Sequence, residues 1–171
     1  AVGELLIFID SDIVIPPDWI EKVFTYYRQG HNVFAGSIDI WGGKNAAIFE
    51  RMGWFFQFHE FKPLMNQSTR WYLPSTALAI RKQLFDETMF SEMETSEDVD
   101  LTVRLARKGQ ILYFNPDLKV FHIFHRNYLR HIRTAFIHGS SSMRVRRMHH
   151  TISPIAVNKN EFGYILIPLS A

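Results

Sequence analysis

The stretch Leu5-Leu6-Ile7-Phe8-Ile9-Asp10-Ser11-Asp12 decides the fold that this sequence predicts. Five consecutive large apolar residues followed by a polar break indicate a strand buried on both faces, which is typical of a parallel sheet covered by helices. The two aspartates follow the carboxyl end of that strand. Ligands of open α/β sheets bind at this edge, because the loops that leave the strands open a crevice there. The sequence therefore predicts an α/β fold with a ligand site beside this stretch.

Asp10 and Asp12 are candidate metal ligands. If the strand geometry continues through Ser11, side chains at i and i+2 project on the same side, so their oxygens can converge on one cation. Two carboxylates this close repel each other unless a positive charge lies between them. The alternative interpretation is a polar turn with no ligand.

Length and composition indicate one domain. The chain has 171 residues, of which 47% are hydrophobic, and this is enough for a sizeable core. It contains no cysteine, which excludes disulfides and thiolate metal sites. The sequence shows no signal peptide and no apolar run long enough to span a bilayer. Because a strand expected in the middle of a sheet begins almost at Ala1, we expect the preceding βα units to be missing from this chain.

Charge is segregated along the sequence. Residues 118–160 contain eight Lys and Arg residues and no acidic residue, whereas the remainder carries eleven positive and seventeen negative charges. This distribution is expected where an acidic, metal-binding cleft adjoins a basic, anion-binding tail.

The segment between the two acidic regions predicts a helix, a strand and a second helix. Pro16-Pro17-Asp18 opens the first helix and Gly30 ends it, and a strand follows over residues 32–40. Residues 45–61 predict the second helix, whose apolar residues extend around more than one stripe. This pattern favours deep burial, with a lipid or partner surface as the alternative.

A second acidic cluster, Glu94-Thr95-Ser96-Glu97-Asp98-Val99-Asp100, opens a further helix. Thr95 or Ser96 is the expected N-cap, which places Glu97 and Asp98 in the first turn. Acidic residues in a first turn are also favoured by the helix dipole alone, so a purely structural role stays open.

Two short strands separated by a turn are predicted after this helix, over residues 110–114 and 118–122, with the turn at Asn115-Pro116-Asp117. The second strand ends in His122. A histidine there could be structural, or it could complete a metal site with the aspartates. Neutral imidazole beside carboxylates suits Mn²⁺ better than Ca²⁺ or Mg²⁺.

The loop before residues 77–81 is rich in aromatic and hydroxyl groups. Trp71 could stack a sugar ring, and Ser75 and Thr76 could bind its hydroxyls, or the loop could be an ordinary connection.

The basic tail from His125 predicts an amphipathic helix. Arg126, Arg130 and Arg133 recur on one face, and Leu129, Ile132 and Phe136 recur on another. This pattern is typical of contact with a membrane surface or an anionic ligand, although a surface helix packed on the sheet has the same pattern. The basic residues form no recognisable nucleic-acid-binding motif, so we expect no nucleic-acid partner.

The order of these motifs resembles glycosyltransferase family 2, the inverting nucleotide-sugar enzymes of the GT-A fold. The resemblance covers residues 3–122 and is carried by Asp10-Ser11-Asp12, Ser75 to Arg81, Ser96 to Leu101, and the strand that ends in His122. It implies a mixed, mostly parallel sheet flanked by helices, incomplete at its amino terminus. Residues 1–124 would form the catalytic and acceptor-binding part of the domain, and residues 125–171 a basic helical tail.

The resemblance also implies roles for individual residues. Asp10-Ser11-Asp12 matches the family's DXD motif, so Asp12 would be the principal metal ligand and Asp10 would assist it. His122 falls where many GT-A enzymes have a further metal ligand. The metal, Mn²⁺ or Mg²⁺, would hold the diphosphate of a nucleotide-sugar donor. Glu97-Asp98 matches the acidic pair in which the aspartate, here Asp98, is the general base.

The remaining expectations concern substrates and location. The Gln-x-x-Arg-Trp sequence of processive synthases is absent. Arg144-Val145-Arg146-Arg147-Met148 shares only the basic character of that motif. This favours a non-processive transferase. Arg144, Arg146 and Arg147 are candidate ligands of the donor diphosphate. The acceptor would be a glycan or a lipid-linked molecule, as in polysaccharide biosynthesis. We expect a cytoplasmic protein, with residues 126–147 as a candidate contact with the cytoplasmic face of a membrane.

Two other function classes stay open from the sequence. Phe8 to Val14 also resembles the opening motif of haloacid-dehalogenase-like phosphatases, with Asp10 as nucleophile and Asp12 as acid. That chemistry requires a downstream Gly-Asp-x-x-x-Asp loop, and Glu97-Asp98-Val99-Asp100 lacks its glycine and spacing. The other class is a catalytically silent carbohydrate- or membrane-binding module.

Overall fold

The computed structural model describes residues 3–124 and 128–149, without the side chains of residues 128–132, 135 and 138. The strands are β1 (Leu5–Ile9), β2 (Ile13–Val14), β3 (Val33–Ile40), β4 (Ser68–Thr69), β5 (Ala77–Arg81) and β6 (Tyr113–His122). The α-helices are α1 (Trp19–Arg28), α2 (Ile48–Phe58), α3 (Lys82–Asp86), α4 (Glu97–Arg107) and α5 (Tyr128–Met148). Short 3₁₀ helices, Gly43–Asn45 and His59–Phe61, flank α2.

The strands form one mixed sheet in the order β1-β5-β3-β6-β2, and β4 pairs with β6. This confirms the predicted mixed sheet flanked by helices, but the expectation of mostly parallel pairing needs correction. Only β3 and β6 pair in parallel among the described strands. The reason is that β5 enters the sheet antiparallel between β1 and β3. Strands β1, β3 and β6 therefore still run in the same direction.

The position of β1 also differs from the sequence prediction. Its residues are half-buried rather than buried on both faces, and Ile9 is exposed. Within the described part of the chain β1 pairs only with β5, so it lies at one end of the sheet. Phe8 packs against the rings of Phe85 and Phe90, which cover one face of the strand.

The core lies between the central strands and the helices. Its largest fully buried side chains include Trp19 of α1, Phe34 and Ile38 of β3, Leu78 and Ile80 of β5, Leu101 and Leu105 of α4, and Phe114 and Leu118 of β6. The indole Nε1 of Trp19 donates a hydrogen bond of 3.1 Å to the carbonyl of Leu118 and so connects α1 with β6.

β6 is one continuous strand, although two strands separated by a turn were predicted there. Its register against β3 shifts between Gly36 and Ile38, which pair with Asn115 and Val120, so residues 116–119 lie opposite Ser37 alone. Proline cannot donate to the ladder, so the chain accommodates it in a bulge. The hydroxyl of Ser37 donates to the carbonyl of Pro116 at 2.7 Å and stabilises the bulge.

The helix predicted over residues 45–61 is observed as α2, and the helix predicted in the basic tail is observed as α5. The prediction that the apolar residues of α2 are buried is wrong, because most of them are exposed. Arg126 and residues 150–171 lie outside the part of the chain that the structure describes. Within the described ranges, none of the helices has both the length and the apolar character needed to cross a membrane.

Candidate functional site

Three strands end or begin at one edge of the sheet. β1 and β6 run in the same direction, so Asp10 and Asp12 after β1 lie at the same edge as His122 at the end of β6. β5 runs in the opposite direction, and Ile9 of β1 pairs with Ala77 at its start. The loop before Ala77, which contains Ser75, therefore reaches this edge as well, within roughly 7 Å of the end of β1 along the sheet.

Asp12 and His122 are 110 positions apart in the sequence and meet at this edge. β2 pairs Ile13 with His122, and the backbone N–H of Ile123 donates to the carbonyl of Asp12 at 2.8 Å. The distance between Asp12 Oδ2 and His122 Nε2 is 3.6 Å. The imidazole is buried between the rings of Phe58 and Phe124, whereas the carboxylate is 38% exposed. One group of the pair is thus fixed by packing and the other faces solvent.

This separation is somewhat longer than that of two adjacent ligands of one octahedral ion, which lie about 3.0 Å apart when each is about 2.1 Å from the ion. A small movement of the exposed Asp12 side chain would bring both groups onto one cation. The carbonyl of Asp10 accepts the N–H of Ile13 in the turn, and the Asp10 side chain is exposed. Over residues 3–124 and 128–149, there is no group of three or more His, Asp or Glu side chains placed to hold a metal ion together.

Asp98 is oriented by two backbone amides. Its Oδ2 accepts the N–H of Ser75 and its Oδ1 accepts the N–H of Val99, both at 2.8 Å. The hydroxyl of Thr102 bonds to the carbonyl of Asp98 and accepts the N–H of Leu73, so the first turns of α4 are joined to the loop before β5. These bonds hold the Asp98 carboxylate at the edge where β1 ends.

The predicted N-cap of α4 is observed with an unexpected conformation. Ser96 is the N-cap, but it has a φ of 62° and its side chain forms no capping hydrogen bond. A non-glycine residue in this left-handed region is uncommon. Glu97 begins the helix and is half-buried.

The aromatic loop before β5 lies against the end of α5. The guanidinium of Arg146 stacks on the ring of Trp71 at 4.6 Å, and the ring of Trp71 contacts Tyr72 at 4.4 Å. Burial raises the pKa of Tyr72 above its ordinary value, and the negative charge of Glu60 acts in the same direction. Tyr72 therefore stays protonated and can donate a hydrogen bond to Glu60. Trp71 remains 36% exposed, so part of its ring is open to a ligand.

The other predicted binding residues differ in accessibility. Arg144 and Arg147 are exposed, and Arg146 is half-buried. Ser75 is half-buried, whereas Thr76 is only 5% exposed, which leaves little of its hydroxyl for a ligand.

A buried polar cluster joins α4 to the end of α5, and sequence reasoning missed it. Nε2 of His149 lies 2.7 Å from Asp100, which also binds Arg104 at 2.8 Å. Arg107 donates to the carbonyl of His149, and Val145 packs against the helix beside this cluster. The i,i+4 spacing of Asp100 and Arg104 was a detectable signal. The contact of Asp100 with His149, which lies 49 positions away, left no detectable signal in the sequence.

Comparison with known proteins shows a consistent set of relatives. A family model described as Glycosyl transferase family 2 matches residues 1–89. The chain is 28% identical over 167 residues to a Pre-mycofactocin glycosyltransferase in each of two strains of Mycobacterium tuberculosis. Each match covers 91% of this chain and 34% of the relative, so the chain spans about a third of the length of these curated relatives.

Among solved structures, the chain is similar to a crystal structure of GalNAc-T7 with UDP, GalNAc and Mn²⁺, with a TM-score of 0.52 and 14% identity. The superposition covers 77% of this chain and 31% of that chain. At this level of identity the two chains share a fold.

Proposed function

Because the chain belongs to glycosyl transferase family 2, we propose that it forms part of the catalytic domain of an inverting, non-processive glycosyltransferase. The reaction moves a sugar from a nucleotide-diphosphate donor to the hydroxyl of a glycan or to a lipid-linked acceptor. One observation carries the proposal: the fold brings the Asp12–His122 pair and the Asp98 carboxylate, which are far apart in sequence, to the same edge of the sheet.

Asp12 and His122 would bind a divalent cation, Mn²⁺ or Mg²⁺, and Asp10, which does not join them in a group of three, would assist through water or the ribose of the donor. The proximity of their ligand atoms supports this assignment, and the mixed oxygen and nitrogen donors favour Mn²⁺. When bound, the cation neutralises negative charge that develops on the leaving diphosphate, which is worth several kcal/mol.

Asp98 would be the general base, with Glu97 beside it in the first turn. An acceptor hydroxyl has a pKa far above neutrality, so a carboxylate must take its proton as the oxygen attacks the anomeric carbon. The backbone bonds from Ser75 and Val99 fix the direction of the Asp98 carboxylate before the acceptor arrives. The acceptor oxygen forms its bond to the anomeric carbon on the face opposite to the bond that breaks to the diphosphate, and this inverts the configuration.

The basic end of α5 would supply further contacts with the donor. Arg146 already lies at the loop before β5, and the exposed Arg144 and Arg147 are on the same helix. Charge-assisted hydrogen bonds from arginine to phosphate are among the stronger ones in proteins. For the acceptor, the accessible part of Trp71 offers a stacking surface and Ser75 a hydroxyl, while the burial of Thr76 favours a supporting role for that residue.

The test is release of nucleoside diphosphate by the full-length protein, measured across a panel of nucleotide sugars with and without Mn²⁺. We expect one donor to be consumed in a metal-dependent reaction. Asp12→Asn and His122→Ala should each raise the Mn²⁺ concentration needed for half-maximal rate by at least about tenfold. Asp117→Asn, which changes a carboxylate in the bulge of β6, is the matched control and should leave the Mn²⁺ requirement unchanged.

Other outcomes would identify the alternative functions. Release of inorganic phosphate from a phosphomonoester would indicate a phosphatase that uses Asp10 as nucleophile. Binding of a sugar or a membrane with no turnover on any donor would indicate a catalytically silent module. Either result would overturn the transferase proposal.

A further inference from the structure

α2 presents an apolar face to solvent. Five large side chains on this helix of eleven residues are between 36% and 61% exposed: Ile48, Phe49, Met52, Phe55 and Phe56. They recur at three- and four-residue spacing and therefore share one side of the helix. Apolar patches of this kind on a protein surface mark sites of interaction.

The opposite side of α2 fixes the helix to the sheet. Gly53 and Phe58 are buried, and the indole Nε1 of Trp54 donates to the carbonyl of Ile38 in β3 at 2.8 Å. Glu50 is directed to the start of the helix, where it accepts the N–H of Ala47 at 2.6 Å. The outward direction of the apolar face is therefore set by the contacts of the buried face.

The exposed charges described on α2 and on its neighbour α5 are positive. Arg51 is the exposed charged residue of α2, because Glu50 is half-buried. α5 lies against α2, and its sequence contains no acidic residue. Among the described side chains of α5, Arg133, Phe136, Ile137, Arg144 and Arg147 are exposed at helical spacing. The two helices thus combine exposed aromatic groups with arginines.

The apolar face adjoins the candidate active site. β3 ends at Ile40, which pairs with His122, and the N–H of Trp41 donates to the carbonyl of His122 at 2.9 Å. The indole of Trp41 is 52% exposed, and α2 begins seven residues further along the chain. A surface bound to α2 would therefore lie close to the Asp12–His122 pair.

We propose that the exposed face of α2, which we call the α2 face, docks the protein on an anionic lipid surface. The aromatic and aliphatic side chains enter the boundary between headgroups and acyl chains, and Arg51 with Arg133 of α5 contacts the phosphates. Charge selects this occupant over a second copy of the chain, because pairing two such faces would oppose arginine to arginine.

The experiment is co-sedimentation of the full-length protein with vesicles of phosphatidylcholine containing about 30 mol % phosphatidylglycerol, compared with phosphatidylcholine alone. We expect binding to the anionic vesicles only. The double variant Phe55→Ser, Phe56→Ser should lower the partition coefficient by at least about tenfold, and Arg51→Glu by at least about fivefold. No donor or acceptor is present, so the result is independent of the transferase test.

Matched controls are Leu64→Ser and Ile111→Ser, which remove exposed aliphatic side chains outside the α2 face and should bind as the unmodified protein does. Unchanged vesicle binding in the double variant would overturn the proposal. The proposal would also be overturned if neither the unmodified protein nor the double variant bound vesicles and the variant had the smaller hydrodynamic size. That result would identify the α2 face as a surface of self-association. If a variant unfolds, amide hydrogen exchange of the unmodified protein, measured with and without anionic vesicles, tests the proposal instead. Vesicles should slow exchange in residues 48–58 and leave exchange in residues 82–86 unchanged.

Discussion

The carboxylate of Asp98 is the residue on which the proposed chemistry depends. Both of its oxygens accept a backbone N–H, so its direction does not rely on a flexible side-chain partner. A substrate hydroxyl therefore meets a base that is already oriented, which reduces the cost of reaching the attack geometry.

We predict that Asp98→Asn lowers turnover by at least about 10²-fold while the dissociation constant of the donor changes by less than about threefold. The amide has nearly the shape of the carboxylate but cannot take the acceptor proton. Single-turnover kinetics and donor titration measure the two quantities separately. Asp18→Asn, at an exposed acid of α1 that pairs with Lys22, is the control. Normal turnover in Asp98→Asn would remove this residue from the mechanism.

At the scale of elements, the bulge of β6 determines where His122 falls. A Cβ added at Gly36 would lie 1.8 Å from the carbonyl oxygen of Leu118, which is backbone and cannot rotate away. That carbonyl also accepts the indole N–H of Trp19. The absence of a side chain at Gly36 therefore allows β3, the bulge of β6 and α1 to pack together.

We predict that Gly36→Ala lowers the free energy of unfolding by at least about 2 kcal/mol, because the clash must displace a strand. Chemical denaturation measures the change. Gly139→Ala is the matched substitution in α5, where a Cβ would meet nothing within 4 Å, and helix propensity should make it neutral or stabilising by up to about 1 kcal/mol. Equal effects of the two substitutions would contradict the packing argument.

At the scale of the whole molecule, the cluster of Asp100, Arg104 and His149 connects α4, which carries the proposed base, with the basic end of α5. Burial alone raises the pKa of Asp100, but hydrogen bonds from His149 and Arg104 outweigh it and hold the pKa below its ordinary value. The Asp100 carboxylate therefore binds a proton less readily in the folded state than in the unfolded chain. The stabilisation is fully present above about pH 4 and is lost as the pH falls through the lowered pKa.

We predict that Asp100→Asn lowers the free energy of unfolding by at least about 2 kcal/mol at neutral pH, since it leaves buried donors poorly matched. The difference in melting temperature from the unmodified protein should shrink below about pH 4. Asp86→Asn, at the exposed ion pair with Lys82, should cost less than about 1 kcal/mol at any pH. A pH-independent difference for Asp100→Asn would show that its charge does not stabilise the fold.

Local pattern determined much of this protein from the sequence alone. The apolar run before Asp10 specified a strand, Gly30 ended α1, and the acidic cluster at Glu97 opened α4, because turn chemistry and side-chain periodicity act over a few residues. The α/β class and the order of the motifs followed from the same signals.

Tertiary structure decided the rest, because partners distant in sequence leave no local signal. Periodicity predicted a helix at α2 but could not tell whether another element covers its apolar face, and that face is exposed. Proline in β6 produced a bulge rather than a turn because β3 was available to pair on both sides of it. The meeting of Asp12 with His122, and of Asp100 with His149, depends on strand order and helix docking. These are set by the packing of the whole core, which no short stretch of sequence encodes.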